Sequence, residues 1–387
     1  MNASVCLQAQ LLASSSFYKL LLCYHISLCV TSSISVLLIL KMQSTVFPLH
    51  RNLRVILGVH LFYCLLQSTG FAAVHLANLI RLSAIHNDPC DYLLPTAYVF
   101  NFRQIAVLGI YGEILTLACV SIERTFASVM QQYERRKITL LVALLGFGQF
   151  IVVVGLFYAF IAVDIDWTSY VATFNVRTEG AAWKFKLIVY IGTAIELVSI
   201  VTFHALLFIN KRRRRLQSRS AFFVSLSARY QIAENVNAMS LLVPAVWMHF
   251  FVFTSNSVTL MVYDRFGDKT NKVAAATFLD ASNIVSFYPI LVALFVFVRY
   301  PKARQNLFNA RGKTVVEITP QKNEGDLHFD YLRAMLTEKP KTAKKRFGFV
   351  VVAQAGFMCM GCQALVGKLE ETLEDDELSI KQKANKL

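Results

Sequence analysis

The sequence predicts an all-α polytopic membrane protein, a bundle of seven transmembrane helices with its N-terminus outside the cell and its C-terminus inside. Composition, the spacing of apolar runs and the placement of positive charge carry that prediction. Of 387 residues, 56% are hydrophobic and only 16% charged, against about 25% charged in soluble domains, and mean hydropathy is +0.49. Thirty Phe and fifteen Tyr beside eight Pro and sixteen Gly exclude a disordered or fibrous chain. A net charge of +15 would point to nucleic acid in a water-soluble chain. In a chain whose solvent is the lipid bilayer it marks a cytoplasmic face beside anionic headgroups, and no nucleic-acid partner is expected.

A helix needs about 20 mostly apolar residues to cross roughly 30 Å of hydrocarbon. Seven stretches qualify: Leu20–Leu40, Leu53–Ile80, Thr96–Ile122, Leu140–Val163, Leu187–Ile209, Asn237–Val262 and Ala274–Val298. They divide the chain into a short extracellular N-terminus (1–19), the bundle (20–298) and a cytoplasmic tail (299–387). No cationic region precedes the first run, so no cleavable signal peptide is expected. The connections after spans 1, 3 and 5 and the start of the tail are strongly basic: Lys41 and Arg51, Arg135–Lys137, Lys211–Arg215, and Arg299 with Lys302. Connections after spans 2, 4 and 6 balance their bases with Asp88, Asp91, Asp164, Asp166, Glu179, Asp264 and Asp268. That alternation is the positive-inside pattern.

Among the cysteines, Cys23, Cys29, Cys64 and Cys119 lie in apolar runs, where a thiol behaves as a small hydrophobe. Cys90 precedes span 3, and the loop Asp164–Lys186 contains no cysteine. If Cys90 is bridged within the chain, Cys6 is its only partner outside; otherwise it is free or intermolecular. The lone pair Cys359 and Cys362 in the tail is a weak zinc signal, and neither a metal nor another cofactor is expected.

Ionisable groups at mid-depth cost at least about 2.5 kcal/mol each, which makes them functional candidates. Arg103, Glu113, Glu196 and Asp280 fall within spans 3, 5 and 7. They form either a polar set lining an outward-opening ligand cavity, or groups that each make one interhelical hydrogen bond. His75, Asn78, Gln104, His249 and Asn256 can join the same cavity, though satisfied interior positions fit each of them better. At the inner end of span 3, Glu123 and Arg124 can hold the helix end as a local ion pair. Its opening would free a rigid cationic donor for a partner's carbonyls. The Lys211–Arg215 run, with Arg212 and Arg213 at its centre, suits lipid headgroups and an acidic cytoplasmic partner alike.

Several strings in order carry a family resemblance: His50-Arg51-Asn52, Pro89-Cys90-Asp91, Ile122-Glu123-Arg124-Thr125-Phe126-Ala127-Ser128, Tyr230-Gln231-Ile232-Ala233-Glu234-Asn235, Tyr288-Pro289, and His328-Phe329-Asp330-Tyr331-Leu332. Over residues 20–338 the chain resembles the nematode serpentine chemoreceptors of the Sra superfamily, closest to its Srab branch. The resemblance implies a G-protein-coupled, GPCR-like chemosensory receptor of the plasma membrane, in sensory cilia, with a small-molecule ligand and a heterotrimeric G protein as partners. Glu123, Arg124, Arg212 and Arg213 are then the candidates for coupling. The resemblance carries no pocket residues with it. Span 7 has Tyr288-Pro289 without Asn-Pro-x-x-Tyr, so rhodopsin-type switching does not transfer.

The alternative class is an ion channel or proton/cation transporter using Glu113, Glu196 and Asp280 as a relay, but no inverted repeat accompanies them. No lysine in span 7 can form a retinal Schiff base, and no hydrolase motif lies within a span, so an enzyme is not expected. Beyond Lys339 the tail departs from the family. Phe347–Gly367 is long enough for an eighth span, but Gln354, Gln363 and its glycines weaken it.

Overall fold

The computed structural model describes residues 3–45, 49–130, 139–163, 165–174, 182–219, 226–267 and 271–300. The chain divides into two compact units, Met1–Thr314 and Val315–Leu387, and every described residue belongs to the first. In chain order its α-helices are α1 (Ala3–Ser14), α2 (Ser16–Thr45), α3 (Arg51–Ser83), α4 (Thr96–Val129), α5 (Thr139–Phe157), α6 (Ala182–Arg219), α7 (Leu226–Phe266), α8 (Lys272–Ala281) and α9 (Phe287–Arg299). A π-helical turn, Tyr158–Ala162, prolongs α5. A 3₁₀ turn, Pro89–Tyr92, follows α3. Strands β1 (Leu94–Pro95) and β2 (Tyr170–Val171) pair antiparallel, Leu94 opposite Val171. The candidate eighth span Phe347–Gly367, the Cys359 and Cys362 pair and the His328–Leu332 string lie outside the described residues.

Helices α2 to α7 are each long and apolar enough to cross a membrane. Phe62, Phe147 and Val201 are exposed on them while Gln67, Glu113 and Glu196 are fully buried. This inside-out distribution is what lipid demands, since apolar side chains lose nothing by facing hydrocarbon and polar ones must find protein partners. The helices overrun the predicted spans. α6 and α7 have 38 and 41 residues, about 57 and 62 Å at 1.5 Å per residue, twice the hydrocarbon thickness of about 30 Å. Apolar content marks where the bilayer ends; Lys and Arg are good helix formers, and α6 continues through Lys211–Arg215.

The predicted single span Ala274–Val298 requires correction, because it is two helices, α8 and α9, joined by residues 282–286. Pro289 has no N–H to offer the carbonyl of Val285, which instead accepts from Tyr288 N at 3.1 Å. Ser282 turns its hydroxyl onto Leu279 O at 2.9 Å, a local bond that competes with the helical ladder. Irregular backbone survives at membrane depth only when protein covers it. Here Ser286 is 2% exposed and accepts from Gln67 Nε2 of α3 at 3.4 Å.

α3 and α4 pack in opposite directions through glycines. A Cβ on Gly109 would stand 2.5 Å from the backbone nitrogen of Gln67, one on Gly70 2.7 Å from that of Ala106, and one on Gly112 2.1 Å from the Tyr63 ring. Small residues at these positions let two backbones meet, which in lipid replaces the hydrophobic drive.

Residues 1–19 contribute more structure than a tail. α1 is joined by the Cys6–Cys90 disulfide to the 3₁₀ turn, where Asp88 accepts from Cys90 N at 2.8 Å. Its inner face, Ala9 and Leu12, packs with Leu82, Tyr92 and Ala276. In the loop after α5, Asp166 accepts from the Thr168 hydroxyl at 2.7 Å and from Thr168 N at 3.0 Å, and these bonds hold its carboxyl below the usual carboxylate range. This is the disulfide end; the end carrying Lys211–Arg215 is the basic end.

Two outcomes follow. Gly109→Ala is expected to lose about 1–3 kcal/mol through overpacking, whereas Gly146→Ala, with nothing within 4 Å of the added Cβ, leaves stability unchanged or slightly raised; thermal unfolding in detergent checks both. Cys6→Ser releases a loop closed across 84 residues and is expected to cost about 2–5 kcal/mol, measured the same way with and without reductant.

Candidate functional site

α4 carries three polar positions at ten-residue intervals, Arg103, Glu113 and Glu123, about 15 Å apart along the axis. Each meets a different set of neighbours.

At the disulfide end, Arg103 lines a cavity of about 110 Å³ enclosed by residues of α3, α4, α6, α7 and α8 and the 282–286 joint. Phe71, Tyr111 and Phe253 supply aromatic wall, and Asp280 of α8 lines it too. Both charges are engaged. Arg103 Nη1 donates to Phe174 O at 2.7 Å. Asp280 accepts from the Tyr18 hydroxyl, which in turn accepts from Asn78 Nδ2 at 3.0 Å. Arg81 donates to Asn78 Oδ1 at 2.6 Å, to Tyr92 O at 2.6 Å and to Ala172 O at 2.8 Å, so the chain of bonds runs from α8 through α2 and α3 to the loops. His75, 3% exposed, stacks between His25 and Phe71 at centroid distances of 5.0 and 6.0 Å. Two buried atoms of cavity-lining residues, His75 Nε2 and Asn256 Oδ1, have no hydrogen-bond partner.

Glu113 does not line that cavity. It and Glu196 of α6, both fully buried, flank His249 of α7: Nδ1 is 2.6 Å from Glu196 Oε1 and Nε2 is 3.4 Å from Glu113 Oε2. Tyr288, just past the break in the seventh span, stands edge-on to His249 at 4.6 Å and pairs its hydroxyl with His60 Nε2 at 2.9 Å. The cluster therefore joins α3, α4, α6, α7 and α9.

At the basic end, Glu123 and Arg124 form a two-pronged ion pair on one helix turn, with side chains 0% and 1% exposed. Arg124 Nη1 also donates to Asn235 Oδ1 of α7 at 3.0 Å. Asn235 Nδ2 donates back to Ala127 O at 3.2 Å, and Gln231 Nε2 to Ala127 O at 2.9 Å and Met130 O at 2.8 Å. From α6, Asn210 Nδ2 donates to Ser128 Oγ at 2.9 Å and Arg213 Nη1 to Ser128 O. These bonds occupy the carbonyls left over at the C-terminus of α4.

Of the four residues anticipated around one cavity, the structure brings Arg103 and Asp280 to it, and gathers Glu113 and Glu196 around His249. Arg212 is exposed, whereas Arg213 braces α4. His249, His75, Asn256, Gln231 and Asn235 carry more of the site than the sequence analysis assigned them. Gln231 and Asn235 had a legible signal, since amides four residues apart share one helix face. Among the described residues no group of three or more His, Cys, Asp and Glu is arranged to hold a metal ion.

The chain matches the model of the serpentine type 7TM GPCR receptor class ab chemoreceptor family over residues 3–336. It is similar to serpentine receptor class alpha/beta-14 of Caenorhabditis elegans, 25% identical over 360 residues that cover 83% of this chain and 90% of that one. Similarity to serpentine receptor class beta-16 of the same organism is 22% over 342 residues, covering 86% and 97%. With serpentine receptor class epsilon-21, also of that organism, it is 25% over 252 residues, covering 59% and 64%. With seven spans, the last of them broken, the chain belongs to the serpentine class ab chemoreceptors, a family of multi-pass, seven-transmembrane receptors.

Proposed function

We propose that this protein is a chemosensory receptor in which a small external ligand enters the cavity at the disulfide end and the basic end signals to a heterotrimeric G protein. The observation that carries the reading is the state of Arg124. A guanidinium at the membrane edge, 1% exposed, is held by its neighbour Glu123 and by Asn235 of α7. The same face of α7 holds the carbonyls of Ala127 and Met130. One outward displacement of α7 breaks its bonds to Arg124, Ala127 and Met130 together and uncovers the Glu123–Arg124 pair, whose opening offers Arg124 as a rigid donor for a partner's carbonyls. Arg212 and Arg213 flank that opening as coupling residues.

Hydrogen bonds to charged groups contribute about 1.5–3 kcal/mol and neutral ones about 1 kcal/mol each. A latch of that size is within reach of ligand binding, since shifting a two-state equilibrium from 1:99 to 99:1 needs about 5.5 kcal/mol of differential affinity. The Glu113–His249–Glu196 cluster lies between cavity and latch and ties α7 to α4 and α6.

The positive-inside pattern supports an extracellular disulfide end and N-terminus, with the C-terminus in the cytoplasm. An oxidised Cys6–Cys90 pair suits the oxidising side. The family supports a plasma-membrane location in sensory cilia.

A reporter assay of the expressed protein against chemical panels, with ion currents recorded in parallel, tests receptor against channel. In it, Arg124→Ala is expected to abolish ligand-dependent G-protein activation while surface expression stays intact; normal signalling by that variant defeats the role of Arg124. Asn235→Ala removes a bond to a buried cation worth about 1.5–3 kcal/mol and is expected to raise ligand-independent signalling about tenfold or more. Basal output equal to that of the parent protein rules out the latch.

A further inference from the structure

We infer that the cavity at the disulfide end takes a small uncharged molecule, a ring or compact hydrocarbon body bearing one hydrogen-bonding oxygen, and that His75 and Asn256 hold that oxygen. The inference rests on the receptor reading for its biological meaning, though not for its chemistry.

The charges on the wall argue first. Arg103 and Asp280 cancel, and each is already engaged by protein, Arg103 with the Phe174 carbonyl and Asp280 with the Tyr18 hydroxyl. An anionic ligand would draw Arg103 from its carbonyl while facing Asp280; a cationic one would draw Asp280 from Tyr18 while facing Arg103. Either breaks a hydrogen bond to a charged group, and the Asp280 bond belongs to a chain that extends through Asn78 to Arg81. A hydrogen bond to a charged group contributes about 1.5–3 kcal/mol, so a charged ligand gives up about what its new bond returns. An uncharged ligand leaves both residues as they are.

The unsatisfied atoms argue next. Most buried polar atoms are paired, yet His75 Nε2 and Asn256 Oδ1 on this cavity are not. The rest of His75 is fixed between two rings, so its free nitrogen cannot swing away to find a bond. Asn256 Oδ1 can only accept, so it calls for a ligand O–H, whereas a carbonyl oxygen would leave it unpaired; a ligand hydroxyl donates to Asn256 Oδ1 while its oxygen accepts from the imidazole N–H of His75. A purely hydrocarbon ligand would leave both unpaired, and sites built around a hydrogen bond discriminate strongly against analogues that lack the group. Phe71, Tyr111 and Phe253 fit the apolar body.

The test uses the full chain purified in lipid nanodiscs and follows its thermal unfolding with four probes: 1-phenylethanol, cyclohexanol, 1-phenylethylammonium and benzoate. 1-Phenylethanol or cyclohexanol is expected to raise the unfolding temperature saturably, and the two ions are not. His75→Phe and Asn256→Leu each weaken the apparent affinity at least fivefold. Val107→Trp, which fills the cavity from α4, abolishes the effect, and it also serves if either polar variant fails to fold. A shift by an ion equal to that of the alcohols, or no shift by any probe at millimolar concentration, overturns the inference. Alcohol binding as described without any G-protein response leaves this ligand class standing and sinks the receptor reading. A G-protein response confined to ions does the reverse.

Discussion

A charged side chain surrounded by hydrocarbon must find its partner inside the protein, and that constraint organises this bundle around α4. Its ionic positions, Arg103, Glu113 and the Glu123–Arg124 pair, each draw other segments inward: the loop after α5 through Phe174 O, α6 and α7 through His249, and α7 again through Arg124 and Asn235. Lipid gives helices no hydrophobic reason to associate. The apolar residues instead cover the outside, and polar satisfaction together with the glycine contacts of Gly70, Gly109 and Gly112 with α3 decides which faces meet.

The broken seventh span has a comparable logic. Pro289 and the serines beside it end the regular ladder, and α3 completes the joint through Gln67 and Ser286. Tyr288 is thereby set against both His60 and His249. The irregular segment thus sits beside a cluster that touches five helices. Packed, polar interiors shift between discrete arrangements and do not deform continuously, and the cavity wall, the histidine cluster and the Glu123–Arg124 pair lie in series along α4.

Two strings that are weak apart in sequence turn out to be one structural unit. Glu123, Arg124 and Ala127 lie on α4, Gln231 and Asn235 on α7, and they meet through the Arg124–Asn235 bond and the shared Ala127 carbonyl. Their joint presence in the sequence is the trace of that contact. The glycines on α4 left no comparable trace, because a glycine in an apolar run looks the same whether it touches a backbone, as Gly109 does, or nothing, as Gly146 does.

Composition and charge by themselves determined the class of fold and the segments that cross the bilayer, because both follow from transfer of residues between water and lipid and need no knowledge of neighbours. They also singled out Arg103, Glu113, Glu196 and Asp280, since a charge in an apolar run is costly wherever the run packs. Which of these share a site was decided only by tertiary structure. Pairing depends on helix rotation and on residues such as His249 whose role is invisible without its two carboxylates. The cavity needed the fold most of all: His75 and Asn256 are ordinary interior polar residues in sequence, and only the packing around them reveals that each keeps one atom unsatisfied.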